Sequence, residues 1–194
     1  MRGVLIIFAK NPDTESVKTR LGRDIGKKRA KKIYTKILNK LIRTNRNQDY
    51  RLVVYSYGDP EYFLKYGIKV KQQKGLDLGE RMLNAFREEL KISSKAVLIG
   101  SDIPTIGRKK VSEAFRILED CDVVLGPALD GGYYLVGMKK PLNIFSLDMW
   151  SHSNVLADTI KLIEENKYSY ALLEEMRDID TAQDLEYYTK IGIL

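Results

Sequence analysis

The chain has 194 residues, 44% of them hydrophobic and 30% charged, which is enough for one well-buried domain and ordinary for a globular protein in water. No run approaches the roughly eighteen apolar residues of a membrane span, and the apolar stretch in MRGVLIIFAKNPD is too short for a secretory signal, so no membrane span and a cytoplasmic location are expected. A formal net charge of +7 favours anionic partners, and the single cysteine, Cys121, excludes an internal disulfide and a cysteine-based zinc site.

Apolar, β-branched runs then alternate with segments of helical period. VLIIFA (4–9) reads as the first strand. In GKKRAKKIYTKILNKLIRTNR (26–46), Ala30, Ile33, Tyr34, Ile37, Leu38, Leu41 and Ile42 form one apolar stripe at helical spacing, with the lysines mostly opposite. That run reads as a solvated helix face; no zinc-finger, RNA-binding or leucine-zipper pattern accompanies it, and no nucleic-acid partner is expected. Strands LVVYSY (52–57) and IKVKQQ (68–73) precede the helix LGERMLNAFREEL (78–90), in which Leu78, Met82, Ala85, Phe86 and Leu90 share a face. AVLIG (96–100), a helix through Val111, Ala114, Phe115 and Leu118, DVVLGP (122–127), GGYYLVGM (131–138), a helix through Val155, Leu156, Ile160 and Ile163, and YSYALL (168–173) continue the series. Cys121 stands before DVVLGP, where a buried strand end suits it better than a nucleophile. Strands alternating with helices predict an α/β sandwich around a mostly parallel sheet, with all 194 residues in one domain.

In such a sheet the ligand crevice opens at the carboxyl ends of the strands. The loops there have the least ordinary composition. FAKNPDTESVKTRLG places Lys10, Lys18 and Arg20 where a polyphosphate could sit, yet it is neither a Walker loop nor a dinucleotide-binding turn. LIGSDIPTI carries one carboxylate, Asp102, at a strand end, which suits Mg²⁺ because that ion takes one or two protein carboxylates and completes its shell with phosphate and water. GPALDGGYYLVG joins Asp130 to Gly131 and Gly132, either a ligand contact or an ordinary Asp-Gly turn. In RDIDTAQDLE, Thr181 has capping-box spacing to Asp184, while Asp178 and Asp180 are free to reach a metal. GLDLGERM sets Asp77 and Arg81 at a helix start, to orient phosphate or merely to cap the helix. His152, the single histidine, has no partner histidine and no serine elbow, which argues against a hydrolase triad.

Taken in order, FAKNPDTESVKTRLG, KGLDLGERM, GSDIPTI, GPALDGGYYLVG, WSHSNVL and DIDTAQDLE resemble a family of bacterial and archaeal proteins provisionally named nucleotide-diphospho-sugar transferases or glycosyltransferases. More distantly they are similar to phospholactate and molybdenum-cofactor guanylyltransferases. The resemblance spans residues 4 to about 187. It implies a glycosyltransferase-A type fold, a Rossmann-like three-layer α/β/α sandwich. It also implies phosphate contacts from Lys10, Lys18 and Arg20, with Asp77 and Arg81 on the same ligand. Metal carboxylates would be Asp102 and Asp180, with Asp178, for Mg²⁺ or Mn²⁺; Lys18 and Asp102 would serve catalysis; and Asp130, Gly131, Gly132 and Tyr133 would line the acceptor or sugar side. The implied activity is glycosyl transfer from a nucleotide-diphospho-sugar to a small-molecule acceptor. Nucleotidyl transfer with pyrophosphate release is the alternative, since GSDIP offers one acid where an Asp-x-Asp is common. Two departures stand out: the family loop usually has glycine where this chain has Glu15, and threonine where it has His152. An acid in an anion-binding loop motivates a third reading, a nucleotide-binding module without turnover.

Overall fold

The computed structural model describes residues 3–46, 48–147, 149–150 and 152–194. Ser151 of the WSHSNVL motif therefore lies outside the described residues. Strand β1 (Val4–Lys10) is buried on both faces through Ala9, which is why its sequence runs apolar without alternation. It pairs in parallel with β2 (Arg51–Tyr57) on one side and with β4 (Ala96–Ile99) on the other, Ile6 facing Val53 and Leu98. β3 (Lys69–Gln72) extends the sheet beyond β2 in parallel. The remaining strands are β5 (Val123–Pro127), β6 (Tyr133–Met138) and β7 (Tyr170–Leu172), and the seven-stranded order is β3-β2-β1-β4-β6-β5-β7.

β6 is antiparallel to both β4 and β5, while β5 and β7 pair in parallel. The short 128–132 connection requires this, because a parallel crossover needs a dozen or more residues. The expected mostly parallel sheet is thus observed with one reversed strand.

Helices cover both faces. On one, α2 (Lys27–Asn45) and α4 (Arg108–Ile117) pack Tyr34, Leu38, Leu41, Val111 and Ala114 against Leu5, Ile7, Val97 and Val124. On the other, α3 (Leu78–Glu89) and α5 (Val155–Glu165) bring Met82, Phe86 and Ile163 onto Val4, Ile6, Leu98 and Val136. The result is a three-layer α/β/α sandwich. A small third cluster joins α1 (Thr19–Ile25), α2 and α6 (Ala182–Lys190) through Leu21, Ile37, Ile179 and Tyr188. A 3-10 helix over Pro60–Tyr66 plugs Phe63 into the α2 side. The lysines of α2 fall mostly on its exposed face, as its stripe predicts, with Lys31 paired to Asp13 at 2.8 Å. Among the described residues no helix is long and apolar enough to cross a membrane. Cys121 is half-buried just ahead of β5.

Strand order reverses between β1 and β4, so the loops leaving their carboxyl ends diverge and leave a crevice. Its floor is tied together by Tyr34. The Lys10 amide donates to the Tyr34 hydroxyl at 2.9 Å, that hydroxyl lies 3.1 Å from the Lys10 carbonyl, and buried Ser101 stands 3.2 Å away. The C-terminal segment reaches the same place because the Ile179 amide donates to the Asp102 carbonyl at 3.2 Å.

Candidate functional site

The crevice is a cleft of about 860 Å³. It gathers residues from the exits of β1, β4 and β5 and from the segment before α6. Lys18 is among them. The lysine precedes α1 with φ 49° and ψ 50°, a left-handed conformation uncommon for a residue with a side chain. Its side chain is only 3% exposed and its Nζ stands 2.7 Å from Asp102 Oδ1 and 3.1 Å from Asp180 Oδ1. Burial works against the ammonium, but the carboxylates of Asp102 and Asp180 outweigh it and hold the Lys18 pKa above its ordinary value. Arg20, exposed at the rim, approaches the other Asp180 oxygen at 3.6 Å.

Asp178 lines the same cleft. Burial, with the neighbouring charges of Asp180 and Asp130, pushes its carboxyl up to about 6, and Lys18 opposes that rise. The region is therefore crowded with carboxylates relative to its buried cations. Thr181 and Asp184 form the expected capping box at the start of α6, and this fixes the backbone from which Asp180 projects.

The other sequence-singled residues divide. Lys10 lines the cleft, its ammonium 5.9 Å from the Tyr57 ring centre. Arg81 also lines it, half-buried, with its guanidinium 4.7 Å over Tyr57 and its Nε donating to the Gly75 carbonyl at 3.1 Å. Asp77 is not among the lining residues. Its carboxylate accepts from the Glu80 amide at 2.8 Å and caps α3, the plainer of its two readings. Asp130 accepts from the Gly132 amide at 2.9 Å, an Asx turn, while still facing the cleft. Gly131 (φ 87°) does not line it, but its carbonyl accepts from the Leu156 amide at 2.9 Å, locking the 128–132 turn onto the start of α5. Tyr133 presents its ring, edge-on to Trp150 at 6.5 Å; its hydroxyl points inward beside Thr159.

His152 lines the cleft too, but its ring is engaged locally. Nδ1 accepts from the Asn154 amide at 3.2 Å, which assigns the proton to Nε2, facing the Met149 carbonyl at 2.9 Å. Glu15 turns away from the cleft. Its carboxylate covers the α-carbon of Gly58 at the exit of β2, and it is absent from the lining.

Among the lining residues the sequence reading did not single out for the site are Tyr34, Tyr57, Gln73, Ser101 and Trp150. Tyr57 and Ser101 follow directly from standing at or just past a strand's carboxyl end, and that signal was available. Tyr34 carried no such signal, since its ring obeys the apolar stripe and only its hydroxyl reaches the site. Tyr34→Phe is expected to cost about 1–3 kcal/mol, because the Lys10 amide loses its acceptor in a part-buried place. The check is a lower urea midpoint at unchanged slope; an unchanged midpoint would mean that water replaces the hydroxyl without loss.

Chemically the donor set is hard oxygen. Among the described residues no group of three or more histidine, cysteine or acidic side chains is arranged to hold a metal ion. Asp102 and Asp180 by themselves fit Mg²⁺ or Mn²⁺, which accept one or two carboxylates when phosphate and water fill the remaining positions.

Residues 41–152 match the family model DUF2064, described as an uncharacterized protein conserved in bacteria. Among solved structures, the chain is 30% identical to a provisionally assigned nucleotide-diphospho-sugar transferase of Desulfovibrio desulfuricans G20, over 99% of this chain and 89% of that one, with a TM-score of 0.91. It shares its fold with CMP:2-keto-3-deoxy-manno-octonic acid synthetase complexed with CTP, at 12% identity, 98% coverage of both chains and a TM-score of 0.59. A further neighbour is Rv0371c of Mycobacterium tuberculosis H37Rv in complex with manganese, at 12% identity, 98% and 99% coverage and a TM-score of 0.58. No curated protein is similar enough to the chain to match it.

Proposed function

The chain belongs to the DUF2064 family and to the provisionally assigned nucleotide-diphospho-sugar transferases, and from that premise we propose that it is a transferase acting on a nucleotide-diphospho-sugar with a divalent ion. The observation that carries this reading is the meeting of Lys18, Asp102 and Asp180 on the floor of a cleft at the strand-order reversal. Those residues lie far apart in sequence, and each is a type that pyrophosphate chemistry requires. The volume of the cleft suits a ligand of nucleotide-sugar size.

In this mechanism Lys10 and Arg20 bind the diphosphate, Arg20 through the planar two-point geometry of its guanidinium. Lys18 shifts its ammonium to an oxygen of the leaving group and offsets charge that grows there as the bond to the transferred group breaks. Asp102 and Asp180 would hold Mg²⁺ or Mn²⁺, which supplies Lewis-acid neutralisation of the phosphate oxygens when bound. The 128–133 turn and the rings of Tyr133 and Trp150 shape the acceptor side. Positioning and charge supply most of the rate, and no protein nucleophile is needed.

A second reading is nucleotidyl transfer from a nucleoside triphosphate, with pyrophosphate leaving. The lone acid after β4 favours it, as does the fold shared with a synthetase that holds CTP. The binding-module reading loses its motive, because Glu15 packs on Gly58 and does not line the cleft.

Thermal unfolding of wild type and Asp102→Ala against nucleoside triphosphates and nucleotide sugars, with and without Mg²⁺, tests both readings. A ligand at a hundred times its dissociation constant adds about 2.7 kcal/mol. The expected result is a shift in wild type that needs the metal and vanishes in Asp102→Ala. Nucleotide sugars giving the larger shift supports the first reading; triphosphates doing so supports the second. No shift with any compound overturns both.

A further inference from the structure

We propose that Lys18 holds the place of the divalent ion in the free protein, so that metal and nucleotide enter together and metal alone binds poorly. The proposal rests on the metal-and-nucleotide reading above and adds an order of events to it. The Lys18 ammonium sits between one oxygen of Asp102 and one of Asp180, at 2.7 and 3.1 Å, with its side chain 3% exposed. A divalent ion held by both carboxylates would compete with the ammonium for their oxygens, and the mutual repulsion of two cations at such close quarters would oppose its entry while Lys18 stays. Arg20 faces the second Asp180 oxygen at 3.6 Å, so one of the two bridging acids is countered on both sides. Asp102 and Asp180 both reach solvent, 52% and 37% exposed, but each has one oxygen already engaged by the Lys18 ammonium.

Metal entry therefore requires Lys18 to leave, and a buried ammonium leaves only for another anion. The cleft provides for one, since Lys10 and Arg20 line it together with Lys18 and offer a bound diphosphate further cations. When the ammonium moves to a phosphate oxygen, both carboxylates are released to the ion that the same phosphate also binds. The local structure suits this exchange. Lys18 lies immediately before α1, its carbonyl accepting from the Gly22 amide at 2.8 Å, and rotation about its side-chain torsions would redirect the ammonium while the helix from Thr19 stays in place. By linkage, nucleotide and metal each raise the other's affinity by the same factor.

The test follows free Mn²⁺ by its electron paramagnetic resonance signal as protein is added without nucleotide. Wild type is compared with Lys18→Met, which keeps length and removes charge, and with Lys18→Gly, which suits the left-handed backbone and serves if the methionine variant fails to fold. Circular dichroism confirms folding. Wild type is expected to bind Mn²⁺ weakly, and either variant about tenfold more tightly or better, inside the roughly 5–150-fold span common for coupled sites. Adding Asp102→Ala to the variant should abolish the gain. If wild type and both variants bind Mn²⁺ equally, or if wild type binds Mn²⁺ alone as tightly as with CTP, the placeholder role is overturned while the metal site stands. If no form binds Mn²⁺ and the nucleotide panel is also flat, the metal-and-nucleotide reading falls with it.

Discussion

Glu89→Ala is expected to lower stability by about 3–5 kcal/mol, the cost of breaking a buried ion pair from one side. The Glu89 side chain is fully buried at the end of α3, yet it meets Arg51 of β2 and Lys71 of β3, and it accepts from the Tyr55 hydroxyl at 3.1 Å. These contacts fasten α3 to two strands at once. Removing the carboxylate leaves two cations and a buried hydroxyl facing a void. Arg51 and Lys71 are partly exposed, and Glu88 remains for both Lys71 at 2.8 Å and the Tyr55 hydroxyl at 2.9 Å, which places the loss nearer the lower end of the range. Urea denaturation of Glu89→Ala and Glu89→Gln separates the contributions. A glutamine that restores more than half of the loss assigns the stability to hydrogen bonding; one that restores none assigns it to charge.

The second large effect is at Gly131. A Cβ there would stand 1.8 Å from the Ser153 carbonyl oxygen, on a backbone with φ 87°. The left-handed backbone costs an alanine about 1–2 kcal/mol, and forcing the 153 segment aside adds about 1–3 kcal/mol. Gly131→Ala should therefore lose about 2–5 kcal/mol. It should also weaken the nucleotide-dependent thermal shift, since His152, Ser153 and Val155 line the cleft. Gly192→Ala is the control: φ is 73° but nothing lies within 4 Å of the added carbon, so only the backbone cost applies. In a domain of this size that is roughly 2–8 °C in unfolding temperature. Equal losses at the two positions would show that the contact with Ser153 yields easily.

The layers of the fold were legible because the signals are local. VLIIFA and AVLI are apolar without alternation since helices cover both faces, and α2 and α3 carry stripes that face the sheet. The reversal of β6 is local too, but it depends on how short a connection is, which composition does not reveal. The 3-10 helix at Pro60–Tyr66 went unread because seven residues are too few to show a helical period, and buried Phe63 stands between Tyr62 and exposed Leu64, so apolarity alone does not pick out the anchor. In the site, Lys18, Asp102 and Asp180 were each visible as unusual residues in unusual loops. Their mutual pairing was not, because it depends on a left-handed residue and on the Ile179 amide reaching the Asp102 carbonyl. Asp77 shows the opposite limit: a carboxylate at a helix start reads alike whether it serves a ligand or a cap.

The contact between Glu15 and Gly58 constrains its two partners unequally. A Cβ at 58 would lie 2.6 Å from Glu15 Oε1, but that oxygen ends a flexible side chain that can swing aside, whereas the Gly58 backbone at φ 81° disfavours most other residues whatever stands at 15. The tolerance of the pair is therefore one-sided: position 15 is open to exchange, and position 58 is held by its own backbone.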